Sequence, residues 1–445
     1  MQNIASAICL STGVSVLTHP AGEITATDAT VHALRGERSC IVRASPDPFR
    51  IMSTDTRAIE ADALAHSAQL RALIHAQIDA AGGAIPFWKF MELALYAPGL
   101  GYYSAGATKF GAAGDFVTAP ELGALFAECV AEAVAPVLRE IGASAQFFEI
   151  GGGSGAFAGD ALSHLAALDA TPARYAILEP SADLRERQRM HLQQRLSAEL
   201  FTRVAWVDGP MPEDWQGVLF ANEVVDALPT PRFAIGEGEV FEEYVTRDGD
   251  GFARTLHPAD ALLSAAVRHV ERQRGAPLPE GYRSELLPQL PYWVQAVAGG
   301  LTRGAMLFVD YGYARREYYR DDRETGTLRA FHRHQVSGDV FALPGLQDLT
   351  ASVDFTALAE AGTNAGFEFS GYCNQTSLLL GNRLEQRLAA HEADAPDEAA
   401  RYALRQQAKR LTLPGDMGEA FQAIGFAKDV DFDHAFLIGD MSHRL

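Results

Sequence analysis

Phe147-Phe148-Glu149-Ile150-Gly151-Gly152-Gly153-Ser154-Gly155 is an apolar run that enters a glycine-rich turn and leaves it as a helical stretch. Glycine permits the positive φ of a tight turn and lets a ligand approach the backbone. The helix that follows presents N–H groups with no intrahelical partner. A phosphate loop would carry Lys-Ser/Thr after its glycines, and this turn has neither. A dinucleotide turn of G-x-G-x-x-G type would need glycine at Ala156. Outward from the turn, short apolar runs at 146–150, 174–178, 204–207, 217–221 and 305–311 alternate with helical patterns at 155–168 and 181–200. Alternation of this kind predicts an α/β fold: a mainly parallel sheet with helices on both faces. No repeat of about 20–50 residues is visible, which excludes a solenoid.

The glycines at 151, 153 and 155, with Glu149 ahead of them, fit E-x-G-x-G-x-G, the first motif of S-adenosylmethionine methyltransferases. Glu179 ends the second strand, where an acidic residue accepts hydrogen bonds from ribose hydroxyls. The alternative is a helix-capping or solvated glutamate before Pro180. Asp208 ends the third strand and is read as an adenine-side contact, with Trp206 and Val207 close by. After the fourth strand comes Asn222-Glu223-Val224-Val225-Asp226-Ala227-Leu228-Pro229. Two carboxylates and an amide there can grip a planar cation, because guanidinium pairs with carboxylates in bidentate fashion. The competing structural reading makes Asn222 and Asp226 caps of a following helix.

The whole chain of 445 residues carries 37 Lys+Arg against 57 Asp+Glu, a formal net charge of −20. That field repels phosphate backbones and argues against a broad nucleic-acid surface. Cys9, Cys40, Cys129 and Cys373 form no CxxC pair, which points to a reducing compartment and away from a cysteine-built metal site. No run approaches the ~18 apolar residues of a membrane span. The first residues lack a positive n-region, so cytoplasm is the expectation and a signal peptide is not. Residues 1–51 lack sustained periodicity, and Met52 is a second candidate start. Leu64, Leu70, Leu73, Ile74 and Ile78 predict a helix over 60–80, stopped by Gly82-Gly83. The 52–145 segment is thus helical and then dense in aromatics and glycines, ending in Gly114-Asp115-Phe116-Val117-Thr118-Ala119-Pro120-Glu121. The sheet domain occupies 146–428, with insertions at about 232–303 and 313–375 on the side where lids sit, and 429–445 is a tail. His332-x-His334 has no third ligand at motif spacing, so no metal site is assigned; with Arg329 and Arg333 it suits a solvated or lid-packing role, with steering of a carboxylate or a proton relay as the alternatives.

Taken together, these blocks resemble the MidA family. The likeness extends through Val309-Asp310-Tyr311-Gly312-Tyr313, Gly326-Thr327-Leu328, Pro344-Gly345-Leu346-Gln347-Asp348-Leu349-Thr350, Val353-Asp354-Phe355 and Leu413-Pro414-Gly415-Asp416-Met417-Gly418-Glu419, roughly residues 66–428. The family's eukaryotic member is a mitochondrial complex I assembly factor that methylates protein arginine. The resemblance implies a Rossmann-like class I methyltransferase using S-adenosylmethionine and no metal. It puts Gly151, Gly153 and Gly155 in the donor turn, Glu179 at the ribose, and Gly114, Asp115, Thr118 and Pro120 in the block that closes over the donor. Asn222, Glu223 and Asp226 fall on the acceptor loop. It further implies symmetric dimethylation of an arginine on a NADH dehydrogenase subunit or another protein, and a homodimer. A non-catalytic assembly factor and a small-molecule methyltransferase stay open as alternatives.

Overall fold

The computed structural model describes residues 61–104, 118–333 and 335–445. The 1–51 segment, residues 52–60, Gly114, Asp115 and His334 lie outside the described residues. Helix α1 (Ala61–Ala80) buries Leu70, Ile74 and Ile78 on one face, while Leu64 points to solvent at 40% exposure. Strand β1 (Ala84–Pro86) follows, then α2 (Phe87–Tyr96), whose Phe87, Phe90, Met91 and Leu95 are buried. Helix α3 (Ala124–Ile141) is apolar nearly all round and lies against the main sheet.

The predicted alternation then appears almost residue for residue: β2 (Gln146–Ile150), α4 (Ala156–Ala167), β3 (Arg174–Leu178) and α5 (Ala182–Arg195). The single helix predicted over 181–200 is two. Ser181 Oγ accepts from the Leu184 N–H and starts α5, but Ser197 Oγ accepts from the Leu200 N–H and starts α6 (Ala198–Phe201). A second capping serine ends the first helix because its side chain satisfies amides that a continuous helix would pair internally. Strands β4 (Val204–Val207) and β5 (Trp215–Asn222) complete this half.

The 232–303 stretch forms β6 (Arg232–Gly236), β7 (Glu239–Asp248) and β8 (Gly251–Pro258), then α7 (Ala261–Arg274) and β9 (Arg283–Glu285). These four strands and β1 make a separate five-stranded antiparallel sheet, so the aromatic leader is stitched to the insertion. The last helix of the stretch, α8 (Leu290–Ala298), packs instead on the main sheet, with Trp293, Val294 and Val297 in its core. Strand β10 (Leu301–Tyr313) follows. The next segment contributes β11 (Arg329–His332), β12 (Gln335–Ser337) and β13 (Asp348–Thr350) as a three-stranded sheet, and β14 (Val353–Asp354) pairs with β10. Helix α9 (Phe355–Asn364), β15 (Glu368–Asn374) and, after further helices, β16 (Phe421–Lys428) close the fold.

The eight-stranded main sheet has the order β15-β16-β10-β5-β2-β3-β4, with β14 beside β10. Its pairs from β4 to β10 are parallel, and β16 is antiparallel to both neighbours. The sheet is buried on both faces, by α3 and α4 on one side and by α8 and α9 on the other. Gly217 shows how tightly the centre is drawn. At φ +146° a Cβ there would lie 1.8 Å from the Gln146 carbonyl oxygen, so β5 approaches β2 only through glycine. The chain leaves β2 for a neighbour on one side and later returns to β5 on the other. In an open α/β sheet the carboxyl edge at such a reversal is where ligands bind.

Candidate active site

A cavity of about 1170 Å³ opens at that edge. Its volume exceeds the ~300–1,000 Å³ usual for a single small ligand, so it has room for a donor and a second reactant together. Thr118, Pro120, Glu149, Gly151, Gly153, Glu179, Asp208, Asn222, Glu223 and Asp226 all line it, so residues read from five separate stretches of sequence meet in one place. Gly155 stands just behind, in a left-handed conformation at the start of α4.

One half of the cavity is built from the turn after β2. Gly151 and Gly153 have φ of +72° and +53°. A Cβ on Gly151 would sit 2.9 Å from Val224 Cγ2, so only glycine keeps this cradle open. Ser154 Oγ donates to the Glu121 carboxylate, which ties the turn to the Ala119–Leu122 segment above it. Glu149 is buried, and its Oε2 accepts from the Tyr175 hydroxyl at 2.9 Å; burial pushes its carboxyl up to about 8. It therefore joins β2 to β3 while reaching the cavity wall.

Glu179 Oε1 accepts from the Ser181 N–H at 3.0 Å, and Oε2 accepts from Gln188 Nε2 at 3.2 Å. Glu179 is therefore not a helix cap, a role that Ser181 fills; its carboxylate braces the turn ahead of α5 and lines the cavity. Asp208 sits on the rim with its side chain 84% exposed, paired to Arg185 at 2.6 Å. Sequence reading missed Gln188, which is fully buried on α5. Its Nε2 donates to the Gly153 carbonyl at 2.9 Å, and its Oε1 accepts from Trp206 Nε1 at 2.8 Å. One amide therefore locks the turn, the Glu179 carboxylate and β4. No sequence signal marked it, because a glutamine in a polar helix looks like surface.

The other half is the 222–228 loop, which contains no helix, so Asn222 and Asp226 are not helix caps. Glu223 adopts φ +55° and its N–H donates to the Val309 carbonyl. Asn222 Nδ2 donates to Glu223 Oε1 at 3.2 Å, and the Ala119 backbone adds a second hydrogen bond. Burial, then the charge of Asp226, pushes the Glu223 carboxyl up to about 8. Asp226 is 5% exposed; its Oδ2 accepts from the Tyr311 hydroxyl at 2.6 Å, and its Oδ1 has no partner. Burial raises its carboxyl to about 6.

A second residue outside the expected set organises this loop. Asp310 Oδ2 accepts from the N–H groups of Val224, Val225 and Asp226 at 3.2, 3.0 and 3.3 Å. It stands inside Val309-Asp310-Tyr311, which resembled a family block but carried no assigned role. Among the described residues, the cationic side chains lining the cavity, Lys89 and Arg185, are both ion-paired, to Glu92 and Asp208. Glu223 and Asp226 make the described part of the inner end acidic.

The Arg329, His332 and Arg333 group lies away from this wall. His332 Nδ1 donates to the Leu346 carbonyl at 2.6 Å, and Arg333 occupies the turn between β11 and β12 at φ +48°. Among the described residues no group of three or more His, Cys, Asp or Glu could hold a metal ion, and no helix is long and apolar enough to cross a membrane. Cys129 and Cys373 are buried thiols, and burial pushes both upward.

A family described as S-adenosyl-L-methionine-dependent methyltransferase matches residues 129–373. The mitochondrial protein arginine methyltransferase NDUFAF7 of Danio rerio is 28% identical over 372 residues, 77% of this chain and 83% of that protein. The human NDUFAF7 is 26% identical over 76% of this chain and 79% of its own. A Burkholderia thailandensis protein described as a methyl transferase, crystallised with S-adenosyl-homocysteine, is 39% identical with a TM-score of 0.81. It covers 87% of this chain and 99% of that one. The glycine cradle, the carboxylate at the end of β3 and the size of the cavity all suit S-adenosylmethionine. The chain belongs to this S-adenosylmethionine-dependent methyltransferase family, the kind its motifs resemble in MidA.

Proposed function

We propose that this methyltransferase acts on the guanidino nitrogen of an arginine in a protein acceptor. The observation that carries the reading is the inner end of the cavity, where a half-buried Glu223 and a buried Asp226 have no basic partner among the described residues. Buried carboxylates left unpaired cost stability unless a cation arrives. The names of the NDUFAF7 relatives point to the same acceptor chemistry. A NADH dehydrogenase subunit as the acceptor, and symmetric dimethylation, are carried only by the family resemblance.

When bound, S-adenosylmethionine supplies a methyl group on a positively charged sulfur. Gly151, Gly153 and Glu179 would hold it, with Gln188 fixing the last two relative to one another. Glu223 would accept guanidinium N–H bonds, oriented by Asn222, and direct one nitrogen toward the donor half; proximity and fixed charge are the main catalytic effects. Guanidinium is too basic to lose its proton beforehand. The proton therefore leaves the nitrogen during or after transfer, and the Glu223 carboxyl, pushed up to about 8, is matched to receive it.

The test is to incubate the full chain with isotopically labelled donor and host extract, then identify the labelled residue by mass spectrometry. Label on arginine is expected; label confined to small molecules or to another residue would overturn the acceptor assignment. Glu223→Gln should keep donor binding by calorimetry and lose about 10²-fold or more of turnover, the scale of a removed acid–base and positioning group. Full turnover in that variant removes Glu223 from the chemistry.

A further inference from the structure

Asp226 divides its two carboxylate oxygens between the protein and the cavity. Oδ2 accepts from the Tyr311 hydroxyl at 2.6 Å, the length of a strong bond to a carboxylate. Oδ1 has no hydrogen-bond partner among the described residues, although the side chain is only 5% exposed and lines the cavity. The end of β10 that carries Tyr311 also holds the backbone beneath. Asp310 Oδ1 accepts from the Tyr311 N–H at 2.9 Å, while its Oδ2 gathers the Val224, Val225 and Asp226 amides. Tyr96 Oη donates to the Ala227 carbonyl at 2.9 Å, and the Ala351 N–H donates to the Asp226 carbonyl at 3.0 Å. With its own N–H and C=O both bonded, Asp226 can turn only through its side chain, and Tyr311 holds that by one oxygen.

We propose that Tyr311 is a positioning residue for the methyl acceptor: by taking Oδ2 it aims Oδ1 of Asp226 into the cavity, where that oxygen receives an N–H of the acceptor's cationic head. The inference rests on the arginine reading above and deepens it. Tyr311 lines the cavity itself, and its ring packs edge to face on Phe421, another lining residue, at 5.6 Å and 68°. A phenol suits this place because it donates a hydrogen bond without bringing a positive charge. An arginine or lysine there would neutralise the acid and leave little for an incoming cation. A buried acceptor without a donor costs free energy until one arrives. A guanidinium recovers that cost more fully than a neutral urea of the same shape.

The same bond keeps the acid ready. Burial pushes the Asp226 carboxyl up to about 6; the Tyr311 hydroxyl pulls it back most, followed by the Ala227 and Asp226 amides. The ionisable groups that share this end are Glu223 on the same loop, Asp310 and Tyr311 on β10, Tyr96 and Tyr103 from the leader, and Asp348 on β13. All are carboxyls or phenols. Removing the Tyr311 hydroxyl should therefore drive the Asp226 carboxyl further up, because none of these neighbours is a cation that would favour its charged form.

The experiment titrates the full chain, saturated with S-adenosyl-homocysteine, with N-acetyl-arginine amide and with N-acetyl-citrulline amide at a series of pH values, in the wild type and in Tyr311→Phe. The wild type should prefer the arginine probe, and the preference should grow in two rises, near about pH 6 for Asp226 and about pH 8 for Glu223. Tyr311→Phe should move the lower rise upward by about one pH unit and cut the preference at neutral pH by about tenfold, the scale of one charge-assisted hydrogen bond. Affinity for S-adenosyl-homocysteine should stay unchanged. Asp226→Asn should lose the lower rise, and adding Tyr311→Phe to it should reduce the preference no further, because Tyr311 acts through the acid. A role in packing alone would weaken binding equally at every pH and in both backgrounds. An absent lower rise, one unmoved in a folded Tyr311→Phe, or full additivity of the two substitutions overturns the role of Tyr311 and leaves arginine methylation standing. A wild type indifferent between the two probes overturns both. If Tyr311→Phe does not fold, a ring-fluorinated tyrosine at position 311 keeps the shape and strengthens the donor. It should move the lower rise downward, and an unmoved rise there is equally fatal.

Discussion

At the scale of single residues, the site is governed by what burial does to carboxyl groups. Glu223 and Asp226 sit at about 8 and about 6, above the ordinary carboxyl range, chiefly because burial disfavours their charged forms. The folded state therefore binds these protons more tightly than the unfolded chain. Stability of the unliganded protein should fall as pH rises from the unfolded value of about 4 through about 8. Glu223→Gln should flatten the upper part of that decline, seen as melting temperature against pH. Activity should run the other way, because a cation needs the ionised acids. We expect kcat/KM to climb between about pH 6 and pH 8, reporting the free enzyme. A flat profile across that window would show that neither carboxyl governs acceptor capture.

Among elements, α5 does more than cover the sheet. Gln188 on its buried face reaches Gly153, Glu179 and Trp206 with one side chain, so the helix sets the donor cradle. Gln188→Ala should leave most of the fold intact and weaken S-adenosyl-homocysteine binding by about tenfold, since three polar groups at the cradle each lose a hydrogen bond. Calorimetry on the variant checks this, and unaltered affinity would reduce Gln188 to packing. The strands and α4 were legible because their apolar runs have the right period and their ends carry glycine or proline. The split between α5 and α6 was not. Periodicity ran on through 196–197, and only the side-chain bond of Ser197 to the Leu200 amide decides the break.

Across the whole molecule, the leader packs against both insertions, and residues of the leader and of the second insertion line the cavity. Phe90 of α2 lies at their junction, 5.2 Å from Phe252 of β8 and 5.0 Å from Phe341 of the second insertion, both edge to face. It is fully buried. Phe90→Ala should cost about 3–5 kcal/mol, the usual penalty for emptying an aromatic site in a core. Because Tyr96 and Tyr103 hang from the same block, acceptor KM should rise more than donor affinity falls. Chemical denaturation and steady-state kinetics test the two halves of this expectation. Equal loss of both affinities would mean that the leader works as a single lid over the donor.

The sequence by itself determined the parallel sheet, the glycine turn after β2 and the carboxylates at 179, 223 and 226, because period, turn chemistry and charge are local properties written in neighbouring residues. The tertiary structure alone decided how the distant pieces combine. Asp310 gathers three amides from a loop more than eighty positions away, β1 adds itself to the insertion's sheet, and Asp348 meets Tyr103 across 245 positions. No window of sequence holds both partners of such contacts. They form because burying the leader and the insertions over one edge of the sheet brings their polar groups out of water, where each must find a partner or await a ligand.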